Sequence, residues 1–211
     1  MVHDAGPSLM LLTSLSVVVI GCWISKDSKI QYLVATSTLS ILLVVAGFFF
    51  TSDLLFIVSF GIEIGYCLFD LVVSDSRRRL GVEVLVHHTC SPVAIFLSLF
   101  RPNISLSLLG ILNLSLSVSN VVTTVSRFLY QSGKRIPKAQ GLLVSCMCGF
   151  ICRIAIPLYC VCVILSDLKR DRDRPEWARL YASSIMMLMY LNVQCVYNIF
   201  VAYQRADKTN S

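Results

Sequence analysis

Seven stretches of about twenty predominantly apolar residues, separated by short polar segments, set the pattern of this chain. They run at roughly 8–25, 30–50, 54–73, 82–100, 104–129, 142–165 and 178–203. That length is what a helix needs to cross the hydrocarbon core of a bilayer. The pattern therefore predicts about seven transmembrane helices and an all-α polytopic membrane protein. The intervening segments are too short for a separate soluble domain. The expected organisation is a first transmembrane helix with its cytosolic loop over 1–29, a main membrane domain over 30–205 and a short cytosolic tail over 206–211. The first stretch reads as a retained helix, because Met1–Gly6 holds no Lys or Arg and no small-residue cleavage site follows.

The informative positions are the polar ones inside these stretches, since an ionisable residue at bilayer depth is a functional-site hypothesis by default. In the third stretch, spacings of three and four place Glu63, Tyr66 or Cys67, and Asp70 on one helical face. The fourth opens with Glu83, His87 and His88. Consecutive helices joined by a short loop are usually neighbours, and at about 1.5 Å of rise per residue Asp70 and the histidines fall at similar depth. An Asp70–histidine contact is expected. Adjacent histidines diverge by about 100° on a helix; His87 is expected to face a polar interior and His88 to brace a neighbour, with the reverse also open.

The fifth stretch carries Asn113, Ser117, Asn120, Thr124 and Arg127 as a continuous polar stripe. Interhelical hydrogen bonding and the wall of an amphiphile-binding cavity both account for it. The sixth buries Arg153 one turn before Pro157, where a mid-membrane arginine pairs or faces a cavity. In the seventh, Tyr190, Gln194, Tyr197 and Asn198 fall mainly on one face, although tyrosines also serve as interfacial anchors.

Composition sharpens this reading. The chain is 56% hydrophobic and only 14% charged, well below the roughly 25% charge of soluble domains. Lys and Arg in alternate loops divide ten (Lys26, Lys29, Arg77, Arg78, Arg79, Lys134, Arg135, Lys138, Arg205, Lys208) against six (Arg101, Lys169, Arg170, Arg172, Arg174, Arg179). By the positive-inside rule the N-terminus is lumenal or outside and the C-terminus cytosolic. The net charge of +6 is spread over helix ends rather than along a stripe, which excludes a nucleic-acid partner. Arg77-Arg78-Arg79 reads as a topology anchor that can also meet anionic headgroups. Most of the nine cysteines sit in apolar helices without zinc-ligand grouping, so neither a disulfide framework nor a metal site is expected. Asn103-Ile104-Ser105 is a glycosylation sequon placed too close to the membrane for use.

The stretch Gly65-Tyr66-Cys67-Leu68-Phe69-Asp70, a basic loop and Glu83-Val84-Leu85-Val86-His87-His88 resembles the core of the TLC-domain family. That family includes ceramide synthases, translocating-chain-associating membrane proteins and lipid-homeostasis proteins. Leu191-Asn192-Val193-Gln194-Cys195-Val196-Tyr197 is similar to its last-helix motif, with Cys195 where tryptophan is common, and Arg127-Phe128-Leu129 to the end of its middle motif. The resemblance spans about residues 40–205 and implies a six-helix bundle around a lipid-accessible cavity.

Three functions follow as expectations from the resemblance. The first is an intramembrane cavity that binds lipid or acyl chains and contributes to membrane lipid homeostasis. The second is a ceramide-synthase-like N-acyltransferase with acyl-CoA as co-substrate, in which His87 and His88 act as base or nucleophile and Asp70 orients an imidazole. The third is a trafficking or translocation helper of the endoplasmic reticulum. Cavity residues are expected at Glu63, Tyr66, Asn113, Ser117, Asn120, Thr124, Arg127, Arg153, Gln194 and Tyr197. No bound cofactor is expected, the partners are membrane lipids, and the location is the endoplasmic reticulum or plasma membrane. One departure weighs against catalysis: ceramide synthases carry a further acidic pair after the histidines, whereas here no Asp or Glu lies between His88 and Asp167.

Overall fold

A computed structural model describes residues 2–23, 29–75, 82–99, 106–131, 137–170 and 175–208. The loop cations Lys26, Arg77, Arg78, Arg79, Arg101, Lys134, Arg135, Arg172 and Arg174, and the sequon at Asn103, lie outside these residues. Among the described residues the chain is almost entirely helical: α1 (Val2–Trp23), α2 (Lys29–Phe49), α3 (Asp53–Asp75), α4 (Val82–Leu99), α5 (Leu106–Gln131), α6 (Lys138–Gly149), α7 (Ile156–Arg170) and α8 (Pro175–Lys208). A π-helical stretch, Phe150–Ala155, joins α6 and α7 into one rod. Six of the described rods, all but α4, are long and apolar enough to cross a membrane. α4 is the shortest rod, 18 residues, and carries both histidines. The protein is an all-α, multi-pass integral membrane protein.

The exterior fits an apolar solvent. Leu12 is 63% exposed, Phe49 82% and Tyr159 66%, a surface that would be costly in water but matches lipid tails. Between helices in lipid there is little hydrophobic driving force, so close van der Waals approach and interhelical hydrogen bonds take over.

Both devices operate on α3. Gly61 and Gly65 form a small-residue face against α1: a Cβ at Gly65 would lie 2.6 Å from the Ser14 carbonyl oxygen, and one at Gly61 2.7 Å from the Thr13 Cβ. The hydroxyl of Ser14 donates to the Gly61 carbonyl at 3.0 Å. On another face of α3, Ser59 and Ser40 of α2 join hydroxyls at 2.8 Å. Asn113 of α5 donates to both, at 3.1 Å to Ser40 and 2.7 Å to Ser59.

The packing order closes a ring. α3 packs on α2, α2 on α5, α5 on α6, α6 on α8, α8 on α4, and α4 returns to α3; α1 lies outside, mainly against α3. Six rods thus surround a centre.

Pro157 explains the π-helical stretch. Proline lacks the N–H that would bond the carbonyl four residues back, that of Arg153, and its ring collides with it. The helix widens upstream, and the Ile156 N–H bonds the Ile151 carbonyl five residues back. Inserted π turns are frequent at functional sites, and this one carries Arg153.

Candidate functional site

Every rod of the ring contributes to one cavity of about 480 Å³, within the range of small-molecule sites. Leu33 comes from α2, Glu63, Tyr66 and Cys67 from α3, His87 and His88 from α4, Asn120 from α5, and Leu142 from α6. Arg153 comes from the π-helical stretch, and Asn192, Cys195 and Asn198 from α8. Glu63 and Arg153 sit at mid-length on their rods, while Leu33, Leu142 and Ala202 lie near rod ends. The cavity therefore runs from the middle of the bundle towards the end where α2, α4 and α6 begin.

Both histidines line this cavity, so they share one wall. Their rings lie 5.5 Å apart. A mean separation of 100° leaves both within a wide concave face. His88 is the one that also meets α3: its Nδ1 is 3.3 Å from Asp70 Oδ2, and its ring stands edge-on to Tyr66 at 6.4 Å. Asp70 is buried and reaches the site through His88.

Arg153 crosses from its own rod to α5. Its Nε donates to Ser119 Oγ at 2.8 Å, and its Nη2 donates to Asn120 Oδ1. Glu63, on the opposite side, feels the Arg153 charge without an ion pair between them among the described residues.

Glu63 also borders a small, mainly apolar slot of about 50 Å³. Phe60, Ala94, Ile95, Leu112, Ile185 and Leu188 line it. On the other side, sharing Leu142 and Ile199 with the main cavity, a second cavity of about 500 Å³ holds Thr123, Arg127 and Lys138.

Several expected cavity residues fall elsewhere. Asn113 borders the apolar slot but spends both amide hydrogens on the serines of α2 and α3. Ser117 is fully buried, and its hydroxyl has no hydrogen-bond partner among the described residues. Thr124 is half-buried outside the main cavity, and Arg127 is exposed in the second one. Gln194 stands outside the cavity and Tyr197 is 59% exposed on the outer surface. On α8 the cavity instead takes Asn192, Cys195 and Asn198, at spacings of three. Ser119 and Asn192 were not singled out from the sequence. Ser119 is one serine among several on α5, and Asn192 is one of two polar faces in the last-helix motif.

A family model described as the TLC domain matches residues 7–204. No curated protein and no solved structure matches the chain.

Proposed function

From the premise that the chain belongs to the TLC-domain family, we propose that it binds an amphiphile, a lipid or a free acyl chain, in its intramembrane cavity and contributes to membrane lipid homeostasis. The observation that carries this reading is that Glu63 borders two unlike spaces. One is the cavity lined by the polar cluster of Glu63, His87, His88, Asn120 and Arg153, and the other is a small apolar slot between α3, α4, α5 and α8. That pairing suits a molecule with a polar head and an apolar tail. The polar groups orient such a ligand and the slot shields its tail. The endoplasmic reticulum, with the N-terminus lumenal and the cavity running from mid-bundle towards the cytosolic end, is the proposed setting.

Native mass spectrometry of the purified protein tests this. A retained lipid should be released by Asn192→Trp, which fills the cavity. Identical lipid retention in that variant contradicts cavity binding, and the lipid profile of cells lacking the protein should shift in the retained class.

A second reading, acyl transfer from acyl-CoA, draws support from the His88–Asp70 contact of 3.3 Å. The carboxylate charge beside Nδ1 favours the proton there and leaves Nε2 as the basic nitrogen, the one that would deprotonate an amine or hydroxyl acceptor. The attacking acceptor then displaces CoA thiolate, which leaves with the proton. The protein incubated with acyl-CoA and an amine-bearing lipid should then release CoA, and combining His87→Ala with His88→Ala should abolish release. Turnover unchanged in the double variant removes the histidines from catalysis.

A further inference from the structure

We propose that Arg153 is an oxyanion anchor, so that the amphiphile in the cavity carries a carboxylate or phosphate at its polar end; this rests on the reading of the cavity as an amphiphile site. A guanidinium has five N–H donors in a planar fork. Here Ser119 and Asn120 take donors of Nε and Nη2, and both partners are neutral. Among the described residues no carboxylate closes an ion pair with Arg153, and Nη1 has no protein partner. The side chain nevertheless lines the cavity.

Two uses of this geometry compete. As structural glue, an arginine in the membrane interior is a poor choice, because a neutral residue would bond Ser119 and Asn120 without desolvating a charge. As an anchor, the same two bonds hold the guanidinium still and leave the rest of its fork open to the cavity. Preorganised donors of this kind recognise planar and tetrahedral oxyanions in a bidentate manner. The π-helical stretch contributes by carrying Arg153 at the cavity wall.

Glu63 is buried on the facing helix and makes no ion pair with Arg153 among the described residues. Asn120 sets the test: it accepts from Nη2 of Arg153, so removing its amide loosens the anchor and lowers the preference for an anion. A purely structural arginine predicts no change in that preference.

The experiment compares three probes of matched chain, oleate, 1-oleoyl lysophosphatidate and oleyl alcohol, bound to delipidated full-length protein in detergent and quantified by native mass spectrometry. The wild-type protein should bind at least one of the two anions about tenfold more tightly than the alcohol, the scale of one charged hydrogen-bond partner. Whichever anion is preferred identifies carboxylate or phosphate. Arg153→Gln should remove that preference with alcohol binding much less affected, and Asn120→Ala should reduce it several-fold. Equal binding of all three probes by the wild type, or a preference surviving Arg153→Gln, overturns the anchor while leaving the amphiphile site intact. Binding of none of the probes overturns both. Should Arg153→Gln fail to fold, Asn120→Ala decides alone: an anion preference that survives unchanged in that variant rejects the proposal.

Discussion

Asn113 and Asn120 stand two turns apart on α5 and look alike in sequence, yet they belong to different parts of the molecule. Asn113 is consumed by structure: its amide bonds Ser40 and Ser59 and ties three rods together. Asn120 lines the cavity and accepts from Arg153, whose charge no described carboxylate pairs with. The two halves of the bundle follow the same division. The side built from α1, α2 and the glycine face of α3 satisfies its polar groups internally and packs backbone against backbone. The side where the Glu63 face of α3, α4, the π-helical stretch and α8 meet gathers ionisable and polar groups around open space. Polarity inside a membrane protein thus means assembly where partners are complete, and points to a ligand where they are not.

The largest effect should come from breaking the assembly side. Gly65→Leu forces a side chain against the Ser14 carbonyl, where even a Cβ lies at 2.6 Å. With backbone as the obstacle the helices must separate, and the cost should exceed the roughly 1–3 kcal/mol of ordinary overpacking. Loss of a monodisperse peak in size-exclusion chromatography is the expected outcome. A protein that elutes and melts like the wild type removes the close α1–α3 seam from the account.

Next comes the tail slot. Leu112→Trp should fill the space between α4, α5 and α8 and shift the retained lipid to shorter chains in mass spectrometry, with little change in thermal stability. An unaltered chain-length distribution places the hydrocarbon elsewhere.

The asparagine pair gives the sharpest contrast at smaller magnitude. Asn113→Ala should lower unfolding stability by about 1–2 kcal/mol, two interhelical hydrogen bonds at about 0.6 kcal/mol or more each, and leave ligand affinity alone. Asn120→Ala should do the opposite, weakening ligand binding several-fold by loosening Arg153 while thermal unfolding moves little. If both variants lose stability equally, the division between the two halves fails. Tyr197→Ala, on the outer surface, should change neither quantity measurably.

Much of this architecture was legible from the sequence because bilayer length and helical period leave few choices. The helical rods, the neighbouring of α3 and α4, and the meeting of Asp70 with a histidine all follow from apolar run length, a short loop and shared depth. What escaped was the direction of faces. The polar stripe of α5 is continuous in sequence, but the ring of helices assigns its first turns to α2 and α3 and its middle to the cavity. On α8 the choice between the Gln194–Tyr197 face and the Asn192–Cys195–Asn198 face depends on how the helix is rotated against α4 and α6, which local sequence does not encode. Gly61 and Gly65 are a legible small-residue pair whose partner, Ser14, could be known only once α1 was placed. The π-helical stretch had a visible cause in Pro157, but proline more often kinks a helix than widens it.

The most direct test of the central claim is an experimentally determined structure of the purified protein in lipid nanodiscs, read for density inside the ring of helices. The account predicts one elongated density whose polar end meets Arg153 and the histidines and whose tail enters the slot beside Phe60 and Leu188. A cavity filled only by water or by rearranged side chains, with lipid confined to the outer surface, would contradict it.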